Sequence, residues 1–255
     1  MVQSTVATYR PAQQKDNLCG SFCAARVLNE LGFDSWDGEP VDEDLIAIRA
    51  GATLPAPDLA PCLPPGALSR TGYRYELPTV PLDAVGTSPG RLVQAIESAS
   101  GGRLRCVPVR GRWTAVQLER LVDAAPGLDA RLIANLRTGR LWGSRPPHHV
   151  LLDELAGRPV TDPAPDWDVG HFVELAMLTR GPRGSLVVVR DTYPSLGMEG
   201  HHLQPPRAVA AALQRGDGRE GGILVVLPAG EAGALEVLVG ELGLEVGTWD
   251  NGCGS

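Results

Sequence analysis

Six short apolar segments in the middle and later parts of the chain have the length and the flanking turn residues of buried β-strands. They cover residues 104–109, 130–136, 149–152, 172–178, 186–189 and 223–227. Segments with the apolar spacing of helices lie before these strands or between them. Because helices come early and strands cluster late, the sequence predicts an α+β fold and not a regular alternation of strands and helices.

The first predicted helix covers residues 19–31 and is amphipathic, with its apolar residues on one face. Gly32 follows as a C-terminal stop, and Asp16 or Asn17 is placed to cap the start. Four further helices are predicted: after Pro89, after Thr114 with Gln117 completing a capping box, from about Pro206, and over 233–243.

Composition, net charge and cysteine spacing exclude several classes of protein. The chain has 255 residues, 43% of them hydrophobic, which is enough to bury a substantial core. A formal charge of -7 argues against nucleic acid and anionic lipid as partners. The sequence shows neither a secretory signal nor a long apolar run, so we expect a cytoplasmic protein without a membrane segment. The five cysteines are odd in number and irregularly spaced, so we expect free thiols and no metal or cofactor.

Cys19 is the strongest candidate nucleophile. It follows a polar loop and falls in the first turn of the predicted helix, where the positive end of the helix dipole favours a thiolate. Gly20 lacks a Cβ, which would let a substrate backbone approach the sulfur. Gln13 lies a short loop upstream, so its amide could stabilise an oxyanion together with the Cys19 N–H.

His171 is the candidate base. It opens an apolar strand that is followed by a turn and a second strand ending at Asp191. An antiparallel hairpin centred on Gly181 and Pro182 would put residue 172 opposite residue 191, with Asp191 beside the imidazole. A carboxylate there can orient an imidazole that activates a thiol.

This ordered set resembles the papain-like cysteine peptidases, and it is most similar to the bacteriocin-processing branch that removes double-glycine leader peptides. The match rests on residues 13–31 and 169–197. The resemblance implies a catalytic-cysteine helix packed on a mainly antiparallel sheet that carries the histidine and the aspartate. It also implies a thioester on Cys19, with His171 as base, Asp191 as orienting acid and Gln13 in the oxyanion hole, acting on a peptide or protein substrate.

Domain organisation follows from this site. A nucleophile and a base some 150 residues apart can meet only if most of the chain folds together. We therefore expect one domain over 1–247, with a Pro-rich irregular insertion near 51–90 that contains a short strand at 73–77, and a flexible tail over 248–255. The sequence predicts neither the oligomeric state nor the choice between hydrolysis and acyl transfer.

Other interpretations stay open. If the triad has lost its catalytic activity, the chain would be a peptide-binding module on the same fold. Alternatively, Cys19 and Cys23 could form a redox pair. His149 is the second candidate base. Adjacent histidines on a strand point to opposite faces, which disfavours metal binding by His148–His149 or His201–His202. The acidic loop 161–168, with Asp168, precedes Gly170 and could line the cleft and favour a basic or polar peptide.

Overall fold

The computed structural model describes residues 13–59 and 61–253. Its centre is a seven-stranded sheet in which neighbouring strands pair antiparallel. These strands are β3 (Leu104–Arg110), β4 (Arg131–Arg137), β5 (Gly170–Arg180), β6 (Ser185–Arg190), β7 (His201–Gln204), β8 (Gly222–Pro228) and β9 (Glu245–Val246). Their order in the sheet is β7-β6-β5-β4-β8-β3-β9. A separate two-stranded hairpin is formed by β1 (Ser35–Trp36) and β2 (Glu39–Pro40).

Helices cover both faces of the sheet. One apolar core joins the sheet to α1 (Cys19–Glu30), α2 (Glu43–Arg49) and α3 (Pro89–Ala99). The other joins it to α4 (Ala115–Ala124), α6 (Pro206–Leu213) and α7 (Ala232–Glu241), while α5 (His148–Leu155) lies near β6. Within the described ranges, no helix is long and apolar enough to cross a membrane.

The alternation of side chains along the strands explains how one sheet serves two cores. Leu132 on β4 belongs to the core with α4, whereas its neighbour Ile133 belongs to the core with α1. Val173 and Phe172 on β5 divide in the same way. Because successive residues of a strand point to opposite faces, a continuous apolar run is needed here, and the sequence supplies it.

The α+β prediction is confirmed, as are five of the six predicted strands and the helices beginning at Pro89, Ala115, Pro206 and Ala232. Residues 149–152 are instead part of α5, since a short apolar run does not distinguish a strand from a helix. The strand predicted at 73–77 is also wrong, because this segment forms no strand and Tyr73 hydrogen-bonds to the Asp16 carbonyl.

The start of α1 differs from the predicted capping. Leu18 is the N-cap residue, and no side chain caps the helix. The Asp16 carboxylate instead accepts from Ser69 Oγ at 2.6 Å and from the Arg70 N–H at 3.1 Å. Asn17 adopts a left-handed backbone conformation with φ 63°. The N–H groups of the first turn, including that of Cys19, are therefore free of side-chain caps.

The β5–β6 hairpin has a different register from the predicted one. Its last pair before the turn is Arg180 with Ser185, and a bulge between Leu175 and Met177 shifts the register further along β5. The final pair is Glu174 with Arg190, which places residue 173, and not residue 172, opposite residue 191 when the register is extended. The register prediction was wrong because the turn, closed by the Gly181 N–H bond to the Gly184 carbonyl, is centred one residue later than predicted. This moves the pairing by two residues, and the bulge restores one of them.

The C-terminal segment is packed, contrary to the flexible tail predicted over 248–255. Trp249 is 5% exposed and donates from Nε1 to Asn135 Oδ1 at 3.1 Å. Asn251 is buried and donates to the Thr87 carbonyl at 3.1 Å. These bonds tie the segment up to Cys253 to β4 and to the end of the insertion; residues 254 and 255 lie outside the described ranges.

Candidate active site

A cavity of about 350 Å³ lies at the N-terminus of α1. The start of β5, the end of β4, parts of the insertion and the C-terminal segment form its walls. Cys19 and His171 both line it. Asp191 lies behind His171, with its Oδ1 at 3.1 Å from His171 Nε2, and both side chains are 2% exposed. The structure therefore brings together the three residues that the sequence analysis proposed as a triad.

The three groups shift one another's acidity. Burial raises the pKa of the Cys19 thiol, but the hydrogen bond and positive charge of His171, with backbone hydrogen bonds at Phe172 and Gly20, outweigh it and lower the pKa. Burial lowers the pKa of His171, but the charge of Asp191 and its hydrogen bond raise it overall. Burial likewise raises the pKa of Asp191, and the charge of His171 overcomes this, so the carboxyl pKa lies well below its ordinary value. This arrangement favours thiolate, imidazolium and carboxylate.

The ring nitrogens of His171 have separate partners. Nε2 faces Asp191 Oδ1 and, at 3.2 Å, Thr192 Oγ1. Thr192 Oγ1 donates to Gln14 Oε1 at 2.5 Å, so it is an acceptor toward the ring. Nδ1 is the nitrogen left for the hydrogen bond with Cys19. The ring is thus held from behind while its other nitrogen faces the sulfur.

Gln14, and not Gln13, is the glutamine at the cavity. Gln13 is half-buried and donates from Nε2 to the Leu68 carbonyl at 2.5 Å, outside the cavity wall. Gln14 is buried, lines the cavity and donates from Nε2 to the Lys15 carbonyl at 3.1 Å. Because that carbonyl can only accept a hydrogen bond, the atom that contacts it must be the amide nitrogen of Gln14 and not the amide oxygen. The second N–H of this nitrogen has no acceptor among the residues of the described ranges. Spacing alone did not distinguish two adjacent glutamines.

A second histidine stands behind the triad. His202 Nε2 lies 3.6 Å from Asp191 Oδ2, and His202 is 6% exposed. Its Nδ1 lies 3.0 Å from Gln204 Nε2. The Gln204 amide is fixed by the Trp142 backbone, whose N–H donates to Oε1 at 2.7 Å and whose carbonyl accepts from Nε2 at 2.9 Å. Gln204 therefore donates to His202 Nδ1, which leaves the Nε2 proton directed at Asp191.

Two aromatic residues enclose the imidazole. The Trp167 ring lies edge-on to His171 with centroids 5.2 Å apart, and Tyr193 stacks on His171 with centroids 5.9 Å apart. Tyr193 is 2% exposed, and both aromatic residues line the cavity. They limit water access to the ring and so strengthen its interaction with Asp191.

The three predicted substrate contacts have different surroundings. Gly20 is buried and does not line the cavity; a Cβ there would lie 2.9 Å from Leu92 Cδ1 and 3.1 Å from Phe172 Cδ2. The close packing of α1 on the sheet, and not substrate access, therefore requires this glycine. Gly170 and Asp168 do line the cavity, as predicted.

The acidic loop does not offer free carboxylates. Asp168 binds Arg137 Nε at 2.5 Å, Asp162 binds Arg207 at 2.8 Å, and Asp166 accepts from the Ser144 N–H at 2.7 Å. These carboxylates are therefore not available to bind a basic group of a substrate.

The remaining candidates lie elsewhere or are buried. His148 and His149 are on α5, which contributes no buried residues. The Cys23 thiol is buried and donates to the Phe172 carbonyl at 3.6 Å. Burial, and then the negative charge of Glu174, raise the pKa of this thiol. A buried thiol with a raised pKa is disfavoured as a redox group. Cys62 and Cys253 also line the cavity, although no sequence pattern indicates a role for either.

Sequence reasoning missed Gln14, Thr192, His202 and Gln204. The alternation of exposed His201 and buried His202 was foreseen for an extended backbone. The sequence of 201–204 holds no signal for the inner face, since Leu203 is its apolar residue and yet His202 and Gln204 are the buried ones.

A family model matches residues 2–250, and it describes a family of unknown function, DUF6885. No curated protein matches the chain. Since the match extends over nearly the whole sequence, the chain belongs to this family of unknown function, DUF6885.

Proposed function

We propose that this protein is a papain-like thiol enzyme that breaks or transfers an amide through a thioester on Cys19. The observation that carries the proposal is the buried chain from the Cys19 thiol through His171 to Asp191, with Nε2 and Oδ1 3.1 Å apart, at the wall of a cavity. A catalytic-cysteine helix packed on an antiparallel sheet, with the base at the start of a strand, agrees with the papain-like resemblance.

The acylation step follows from the charges. The Cys19 thiolate attacks the carbonyl carbon of the substrate amide, and the carbonyl oxygen takes up the electron pair. We assign the stabilisation of this oxyanion to the Cys19 N–H and to Gln14 Nε2, because both residues line the cavity. As the tetrahedral intermediate collapses, His171 gives its proton to the amine nitrogen, the C–N bond breaks, and a thioester remains on the sulfur.

Deacylation returns the enzyme to its starting state. Neutral His171 takes a proton from water, which attacks the thioester carbonyl, and the acid leaves as the Cys19 thiolate is restored beside imidazolium. An amine in place of water would give transfer and a new amide. Asp191, held by His202 and by the Thr192 and Tyr193 N–H groups at 2.7 and 3.1 Å, keeps the ring oriented throughout.

A peptide library tests the proposal. The protein and its Cys19→Ala variant would be incubated with a mixture of synthetic peptides of varied sequence, and the products would be identified by mass spectrometry. We expect new peptide ends with the wild-type protein alone, and hydroxamates when hydroxylamine is added to intercept the thioester. Peptides that are retained by both proteins but cut by neither would instead indicate a peptide-binding module and overturn the proposed chemistry.

A further inference from the structure

Three arginines converge on the cavity that holds Cys19. Arg137, Arg215 and Arg219 all line it, in a chain whose formal net charge is -7. Arg215 is the most deeply placed, with a side chain 2% exposed. A buried guanidinium must be paired or hydrogen-bonded, so its position in a cavity wall requires an explanation.

Arg215 lies directly beside the base. A Cβ on Gly170 would meet its Nη2 at 2.8 Å and its Nη1 at 3.2 Å, so the guanidinium packs against the backbone of the residue preceding His171. Its Nε and Nη2 bind the two oxygens of Asp217 at 3.1 and 2.8 Å. Among the described residues, Nη1 has no hydrogen-bond acceptor. Gly170 therefore makes room for an arginine with one free donor group.

The other two arginines also keep free donors. Arg137 uses Nε for Asp168 and Nη1 for Asp217, at 2.5 and 3.3 Å. Arg219 donates from Nη2 to the Asp83 carbonyl at 2.5 Å, and it forms no ion pair within the described ranges. Nη2 of Arg137 and Nε and Nη1 of Arg219 thus lack protein acceptors there. The two carboxylates Asp168 and Asp217 pair with Arg137 and Arg215. Since Arg219 has no carboxylate partner within the described ranges, this end of the cavity carries a net positive charge.

The carboxylates of the cavity, by contrast, are engaged. Asp168 is bound by Arg137, and Asp16 accepts from Ser69 and from the Arg70 N–H, on the side of the insertion. A wall with free N–H donors and occupied acceptors complements a ligand group that only accepts hydrogen bonds. Guanidinium groups bind carboxylates through paired N–H donors, which gives geometric selectivity as well as charge.

We propose that this arginine wall, made of Arg137, Arg215 and Arg219, binds a carboxylate on the leaving half of the substrate. The inference rests on the proposed function, in which His171 gives its proton to the leaving amine. Because Arg215 packs against the residue before His171, the wall lies on the side of the cavity where that amine departs. The substrate class is then an acyl derivative of an amino acid with a free carboxylate, such as the last residue of a peptide.

The first test compares two alkylating reagents on Cys19. Iodoacetate carries a carboxylate and iodoacetamide does not, and peptide mass spectrometry gives the rate of each at Cys19. We expect the ratio of the iodoacetate rate to the iodoacetamide rate to fall at least threefold in Arg219→Gln, because the substitution removes a positive charge that attracts the carboxylate of iodoacetate in the cavity. Arg158→Gln is the control, because Arg158 is exposed and pairs with Asp153 outside the cavity.

The second test uses the peptide library with free or amidated C-termini. We expect release of the last residue from free-acid peptides, at least tenfold slower release from amidated ones, and loss of this preference in Arg219→Gln. An unchanged alkylation ratio, or equal cleavage of amidated peptides, overturns the arginine wall while leaving the thiol chemistry intact. A Cys19 that reacts slowly with both reagents overturns the proposed function instead, and the inference falls with it.

Discussion

Replacing Asp191 by Asn tests whether a buried carboxylate maintains the thiolate–imidazolium pair. The substitution keeps the side-chain shape and the carbonyl oxygen that accepts from the Thr192 N–H at 2.7 Å and the Tyr193 N–H at 3.1 Å. It removes the negative charge next to His171, and it puts an NH2 group in place of Oδ2, the oxygen that faces His202 Nε2. The alkylation rate of Cys19 then reports how far that charge supports the nucleophile.

The geometry sets an upper limit on the effect. His171 Nε2 and Asp191 Oδ1 are 3.1 Å apart and both side chains are 2% exposed, so unit charges there attract by about 5 kcal/mol at an effective dielectric of about 20. That free energy corresponds to a factor of roughly 10³ to 10⁴ in the population of the ion pair. The Asn carbonyl still accepts a hydrogen bond from the ring, so we expect a fall of at least tenfold at pH 7, within this limit.

The pH dependence has a definite sign. In the wild type the lowered pKa of Cys19 and the raised pKa of His171 keep the ion pair present from mildly acidic to alkaline pH. Without the charge of Asp191 the pKa of His171 falls, and the Cys19 pKa rises because burial is no longer outweighed. The alkylation rate of the variant should therefore rise only at or above the ordinary thiol range, near pH 8.5 to 9.

The assay is iodoacetamide labelling of Cys19 between pH 5 and 10, followed by peptide mass spectrometry, with thermal unfolding to verify the fold. Asp153→Asn is the matched control, since Asp153 lies on α5 and pairs with exposed Arg158. A folded Asp191→Asn protein that reacts within threefold of the wild type at pH 7, with the same profile, would show that the carboxylate does not support the nucleophile.

Three further predictions use the same labelling and unfolding measurements. His202→Phe removes the N–H that faces the Asp191 carboxylate, so the pKa of that carboxyl should rise. The acid midpoint of Cys19 reactivity should then move up by about one pH unit, because a hydrogen bond to a charged group contributes about 1.5–3 kcal/mol. An unmoved midpoint contradicts this role of His202. Gln14→Ala should slow cleavage of a library peptide by about 10²-fold or more, as expected for loss of an oxyanion donor, whereas Gln13→Ala should change it less than threefold; equal effects would exclude the assignment. Gly20→Ala should lower the free energy of unfolding by about 1–3 kcal/mol through overpacking. Gly233→Ala should raise the free energy of unfolding by up to about 1 kcal/mol, because a Cβ there meets no atom within 4 Å. The same sign at both positions would refute the packing argument.

Much of the local structure was predictable because it depends on neighbouring residues. The Thr114–Gln117 capping box forms as expected, and the strands with long apolar runs occur where predicted. The errors arose at short or irregular segments. Residues 149–152 have too few positions to distinguish a helix from a strand. The hairpin register differs because the turn is centred one residue later than predicted, and the bulge between Leu175 and Met177 corrects only half of the resulting shift.

The sequence by itself determined the identity and order of the groups proposed to react: Cys19 at a helix start, His171 opening a strand and Asp191 ending the next. Their meeting depends on that helix packing on β5, which the apolar periodicity already encodes. Only the tertiary structure decided that Gln14 faces the cavity, that His202 supports the carboxylate, and that Arg215 packs on Gly170. These contacts join segments far apart in sequence, and their side-chain directions depend on register and loop paths that no local pattern specifies.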